Sequence, residues 1–167
     1  MINKLLLSIL TMFGLGYSKF APGTLASFVT CLIFYILYKI GYLESRGIFL
    51  IYIIVIIFFL GAFLIDKLSS HFSNVDAKEI VIDEFVGQNI PLFYLLFVPL
   101  NTSTYSKEFL ILIFLSFLFF RFFDILKPYP IYLIDRKMKN GLGVMLDDVI
   151  AGIFSALSIY IVTLLWL

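Results

Sequence analysis

The sequence predicts an all-α, multi-pass integral membrane helical bundle, built as a single domain over residues 1–167. Three observations carry this reading. Hydrophobic residues make up 62% of the chain and charged residues only 14%. Apolar runs recur that approach the roughly 20 residues a helix needs to cross a bilayer. The charges gather in short segments between those runs. There is no basic block interleaved with aromatics and the net charge is only +1, so no nucleic-acid partner is expected. The single Cys31 lies inside an apolar run, which leaves no disulfide or cysteine-metal framework and suits a small buried hydrophobe.

Residues 1–16 begin with Lys4 and an apolar run, but no small-x-small cleavage site follows. Asn3, Lys4, Ser8 and Thr11 recur near helical spacing, so a short helix in the membrane interface is expected. Gly14, Gly16, Pro22 and Gly23 then mark a loop whose backbone amides could form an anion-binding nest. Thr24 to Leu43 is the first expected span and Gly47 to Ile65 the second, joined by a link with Glu44 and Arg46. Asp66 to Asn74 is polar, reads as irregular or loosely helical, and holds the only histidine, His71, as a solvated loop residue.

Asp76 and Glu79 have the spacing of a capping box. Glu79, Asp83 and Gly87 follow at i, i+4 and i+8, on one helix face, where like charges repel unless a cation offsets them. Phe85 to Pro99, with Pro91 inside it, is barely long enough to cross and is expected to be tilted, kinked or partly inserted. A polar link from Asn101 to Glu108 leads into the next expected span, Phe109 to Phe123.

The stretch from Arg121 to Gly152 holds four acids and five bases. Arg121, Asp124 and Lys127 are spaced to share a helix face, and Pro128 and Pro130 stop that helix. Pro128 also biases Lys127 toward an extended backbone, which would aim its amine at the headgroup layer. Asp147 and Asp148 precede the last span, Val149 to Leu167, whose Gly152, Ser155 and Ala156 form a small-residue stripe.

If all five runs cross, segments 66–84 and 124–147 fall on the same side as the glycine loop. That side carries Lys4, Lys19, Lys67, Lys78, Lys127, Arg136, Lys137 and Lys139; the other carries Lys39, Arg46 and Lys107. Positive charge marks the cytoplasmic side, so the polar motifs are expected to converge there.

The constellation is Glu79, Asp83, Glu84, Asp124, Asp147 and Asp148, with Lys127 and Arg121. Carboxylates without His or Cys suit a hard cation, magnesium above others. Lys127 and Arg121 can hold a phosphate as point charge and fork. A phosphoryl-transfer or phosphate-hydrolysis site acting on a lipid phosphate follows. A magnesium channel would place its acids inside the spans, and a structural adaptor would not need six acids beside a lysine and an arginine. A CDP-alcohol phosphatidyltransferase would carry a D-G-x-x-A-R block, which is absent.

The motifs together resemble the phosphatidylglycerophosphatase A family of bacterial magnesium-dependent enzymes. The resemblance rests on Ala21-Pro22-Gly23-Thr24, Glu79-Ile80-Val81, Asp83-Glu84 and Gly87. It continues through Arg121, Asp124, Lys127-Pro128, Pro130, Asp135-Arg136, Gly141, Gly143, Asp147-Asp148 and Ala151-Gly152. Leu25-Ala26-Ser27 and Lys19 depart from the family's loop pattern. The resemblance implies hydrolysis of phosphatidylglycerophosphate to phosphatidylglycerol and phosphate at the bacterial cytoplasmic membrane. It implies Mg2+ on Glu79, Asp83, Glu84, Asp147 and Asp148, and substrate on Thr24, Arg121, Lys127 and Arg136. Catalysis would fall to Asp83, Glu84, Asp124, Lys127 and Asp148. Another membrane lipid-phosphate phosphatase is the nearest alternative.

Overall fold

The computed structural model describes residues 2–72, 75–98 and 105–166, without the side chains of 2–3, 44–46 and 105–106. Expectations for Asn74, Pro99, residues 101–104, Leu167 and the side chains of Asn3, Glu44 and Arg46 lie outside that set. Seven α-helices are described: α1 (Ile2–Leu10), α2 (Pro22–Lys39), α3 (Tyr42–Leu68), α4 (Ile82–Tyr94), α5 (Tyr105–Leu126), α6 (Ile131–Lys137) and α7 (Gly141–Trp166). No strand occurs among the described residues.

Four segments are long and apolar enough to cross a membrane: Pro22–Lys39, Gly47–His71, Lys107–Leu126 and Gly141–Trp166. The apolar surface they leave outward, such as Phe49, Tyr52, Phe59 and Phe63 on α3, is exposed as lipid contact requires. Several boundaries differ from expectation. The first span ends at Lys39, so Leu43 and the expected link at residues 44–46 belong to α3, and the turn falls at Ile40–Gly41 instead. The polar Asp66 segment continues α3 to Leu68 and then turns as a 3₁₀ helix over Ser69–His71. There Asp66 Oδ1 accepts the Gly141 N–H at 2.6 Å, tying the end of α3 to the start of α7. Helix α7 begins at Gly141, with Asn140 Oδ1 accepting the Gly143 N–H at 2.9 Å as its cap. Asp147 and Asp148 therefore sit inside its second turn, not before it.

The weak fifth run is the centre of the bundle. Helix α4 has 13 residues, about 20 Å of rise against a hydrocarbon core of about 30 Å. It packs against α2, α3, α5 and α7, which shield its buried Gln88, Asn89 and Pro91 from lipid. Its first turn lies beside Asp148 near the start of α7. At its far end the Tyr94 and Thr163 hydroxyls are hydrogen-bonded at 3.0 Å, near the end of α7. Helix α4 thus runs alongside α7 through the bundle.

Two glycines permit that contact. A Cβ on Gly87 would lie 2.6 Å from the Asp148 carbonyl oxygen and 2.7 Å from the Phe120 ring. A Cβ on Gly152 would strike the Gly87 carbonyl oxygen. Pro91 has no N–H for the carbonyl four residues back, which is that of Gly87. The carbonyl freed in this way is the one Gly152 packs against.

Helix α1 packs on α3, with Leu10 fully buried, and the Leu10 carbonyl accepts the Val81 N–H at 3.0 Å. The short helix expected over the first residues is thus held by the protein. The Asp76–Glu79 spacing does not cap a helix: α4 starts at Ile82, with Val81 at the cap position and no side-chain cap bond. Glu79 lies in the preceding turn and does not share a helix face with Asp83 and Gly87.

Because the α4–α7 crossing has no room for a methyl group, Gly152→Ala is expected to cost about 1–3 kcal/mol. Thermal unfolding in detergent checks this against Leu157→Ala, whose side chain is 54% exposed and should cost little.

Candidate active site

The first turn of α4 presents two consecutive acids, Asp83 and Glu84. A helix N-terminus favours negative charge, and Asp83 Oδ1 accepts the Glu84 N–H at 3.1 Å. Asp148 reaches the same point from α7. Carboxylate oxygens of Asp83, Glu84 and Asp148 lie within 4.8 Å of one another. Asp83 and Asp148 are buried, and Glu84 Oε2 and Asp148 Oδ2 have no hydrogen-bond partner. Burial, and next the neighbouring Glu84, hold the Asp83 carboxyl well above its ordinary range. Burial pushes Glu84 up to about 8, with Asp148 and Asp124 adding to the rise while Asp83 and Arg121 oppose it. Three crowded carboxylates need protons or a cation to coexist. The oxygen-only donor set and its unpartnered oxygens fit a hard divalent cation.

Arg121 stands near the group, and Lys127 lies on Asp147, the residue before Asp148. Arg121 pairs with Asp124 at 2.5 Å across i, i+3 of α5, as the spacing predicts. A Cβ on Gly23 would strike the Glu84 carboxylate and lie 3.3 Å from an Arg121 nitrogen. The glycine at the start of α2 therefore lets backbone close over Glu84 and Arg121 together, with Thr24 half-buried next to it. Gly16, in the preceding loop, packs on the Glu79 carbonyl.

Lys127 departs from expectation. Its backbone has φ +44°, left-handed rather than extended. Its N–H still closes α5 by donating to the Phe123 carbonyl at 2.9 Å, while Pro128 bars a further right-handed turn. The left-handed residue ends the helix. The amine turns inward, donating to Asp147 at 2.6 Å and Asp135 at 2.9 Å, instead of reaching for the headgroup layer. Burial alone would lower the Lys127 pKa, but Asp147 and Asp135 outweigh it and the ammonium is held charged.

The structure thus brings together Asp83, Glu84 and Asp148, with Arg121, Asp124, Lys127 and Asp147 at their border. Asp147 is occupied by Lys127 and lies outside the trio. Glu79 stands outside it too, in its turn. Arg136 is exposed, donates to the Tyr132 hydroxyl at 2.5 Å and lies over that ring, on the outer face of α6. The sequence does not show Asp135 as a partner of Lys127, although the Asp135-Arg136 motif singles it out. Nor does it show Asp66, whose capping bond crosses 75 residues and leaves no local signal.

Residues 8–163 match the family described as Phosphatidylglycerophosphatase A. Phosphatidylglycerophosphatase A of Haemophilus influenzae is 36% identical over 148 residues, covering 89% of this chain and 82% of that protein. Phosphatidylglycerophosphatase A of Escherichia coli is 30% identical over 154 residues, covering 92% and 81%. A putative phosphatidylinositol-3-phosphatase of Bacteroides thetaiotaomicron is 37% identical over 148 residues, covering 87% and 85%. No solved structure matches. Three buried carboxylates bordered by an arginine and a lysine, in an all-helical membrane bundle, agree with this match, and the chain belongs to the phosphatidylglycerophosphatase A family of phosphatases.

Proposed function

We propose that this chain is a magnesium-dependent phosphatase that hydrolyses phosphatidylglycerophosphate at the cytoplasmic face of a bacterial membrane. The observation that carries the reading is the buried trio of Asp83, Glu84 and Asp148 with unpartnered oxygens. Asp83, Glu84 and Asp148 would hold the ion. When bound, magnesium polarises a phosphoryl oxygen and lowers the pKa of a coordinated water. Water adds to phosphorus, the phosphorus–oxygen bond to the glycerol breaks, and the lipid alcohol leaves with a proton.

The chain's own residues supply the surroundings. Arg121, paired with Asp124 and near Glu84, can offer its planar fork to a phosphate. Asp124 fixes that fork. Lys127 holds Asp147 and Asp135 in place and adds a fixed positive charge beside the acids. Asp147 in this reading orients Lys127 instead of binding the ion, and Glu79 supports the glycine loop. Thr24 sits at the close approach of α2 to Glu84, where a headgroup oxygen would pass. Arg136 stands at the rim. Lys67, Lys78, Lys137 and Lys139 flank the same end of the bundle, which supports a cytoplasmic orientation.

A phosphoinositide monoester is the second substrate reading, favoured by the name of the Bacteroides relative. Phosphate release in detergent, with phosphatidylglycerophosphate and phosphatidylinositol 3-phosphate side by side, separates the two. Release from the first is expected to dominate, to need Mg2+ and to stop with EDTA; full activity in excess chelator contradicts the metal reading.

Asp83→Asn keeps the side chain's shape and removes one charge from a crowded group. It is expected to lower turnover by orders of magnitude while leaving the metal-free protein as stable or more so. Near wild-type turnover at limiting Mg2+ would remove Asp83 from the ligand set.

Lys127→Met leaves Asp147 buried without its partner, so it is expected to lose stability as well as ~100-fold or more in turnover. In the double variant Lys127→Met/Asp147→Asn, stability should recover and turnover should not. Recovery of both would make Lys127 a purely structural partner of Asp147. Lys137→Met, on an exposed residue, is the control and should change neither.

A further inference from the structure

Among the described residues, buried side-chain nitrogens and oxygens without a hydrogen-bond partner fall on four residues: Glu84, Arg121, Asp148 and Gln88. The first three form the charged site. Gln88 carries no charge, and nothing in the proposed chemistry uses it. It is completely buried, and both ends of its amide lack a partner.

The other buried neutral polar groups show how unusual this is. Asn89, the next residue, donates to the Phe85 carbonyl at 2.8 Å. Ser27, Thr30 and Ser116 each donate to the carbonyl one turn back, at 2.9, 2.8 and 2.8 Å. Ser155 reaches across to the Ser116 carbonyl at 3.2 Å. An amide buried without partners is costly.

Its position supplies the reason. Gln88 follows Glu84 by four residues, so the two side chains share one stripe of α4. Glu84 is the acid that meets Gly23 and Arg121, and Gln88 lies one turn deeper. Gly87, pressed against Asp148 and Phe120, prevents α4 from rotating to turn Gln88 outward. An amide offers a donor at Nε2 and an acceptor at Oε1. Glu84 Oε2, one turn above, is an acceptor without a partner.

We infer that Gln88 is a positioning residue for the metal site. Its Nε2 donates to the Glu84 carboxylate and sets which oxygen faces the ion, while Oε1 accepts from a water or hydroxyl held in the site. The two side chains are not hydrogen-bonded in the present arrangement, and rotamer changes within one turn bring them together. Carboxylate ligands are oriented by such outer hydrogen bonds, and losing one typically costs about 10–100-fold in metal affinity. The inference rests on the metal reading given above.

The test uses the full chain in detergent, as wild type, Gln88→Met, Gln88→Leu and Asp83→Asn. Thermal midpoints are measured without metal and across a Mg2+ titration. Both Gln88 variants are expected to keep or raise the metal-free midpoint, because an unpartnered amide is gone. The Mg2+ concentration giving half of the thermal shift should rise about 10-fold or more. An unchanged Mg2+ half-point in both variants overturns the inference, as does a lowered metal-free midpoint in both, which would assign Gln88 to packing. A wild type without any Mg2+ shift, or an Asp83→Asn protein that keeps the full shift, overturns the metal reading itself and this inference with it.

Discussion

Everything around the site answers one electrostatic constraint: Asp83, Glu84 and Asp148 are crowded together where water is scarce. Charges of one sign cannot be buried at such distances without compensation. The bundle supplies some of it. The N-terminus of α4 favours Asp83 and Glu84, Arg121 stands near Glu84, and Lys127 neutralises Asp147. The trio still keeps unpartnered oxygens, and these are what a cation would satisfy.

The packing holds this arrangement in place. Three helices close on α4 through glycines: Gly23 of α2 against the Glu84 carboxylate, and Gly87 against both the Asp148 backbone of α7 and the Phe120 ring of α5. The polar α4 can occupy the centre because four apolar segments surround it and meet the lipid in its place. The helices that carry Asp83, Glu84 and Asp148 are thus held together by a backbone contact at Gly87, and the Glu84 carboxylate packs on the backbone at Gly23. Such rigidity suits a site that must present oxygens at defined distances.

Much of this was legible in the sequence. The apolar runs announced the spanning helices, and the i, i+3 spacing of Arg121 and Asp124 became an ion pair. Asp83, Glu84 and Asp148 stood out as acids in an apolar chain. What escaped was decided by tertiary contact. The short Phe85 run reads as barely long enough to cross, and hydropathy alone does not show that other helices enclose it. The i, i+4 spacing puts Glu79 on a helix face with Asp83, but the helix starts only at Ile82. Lys127 was expected to reach outward from an extended backbone; a left-handed helix end and two buried or half-buried aspartates turned it inward. Gln88 carried no motif at all, and only its lack of partners marks it.

The central claim is that Asp83, Glu84 and Asp148 hold a divalent cation. Crystals of the protein soaked with Mn2+, and its anomalous scattering mapped, test this most directly. The account predicts a single strong peak bounded by carboxylate oxygens of all three residues, at about 2.0–2.3 Å. A peak held instead by Glu79 or Asp147, or no peak among the three at saturating Mn2+, would contradict it.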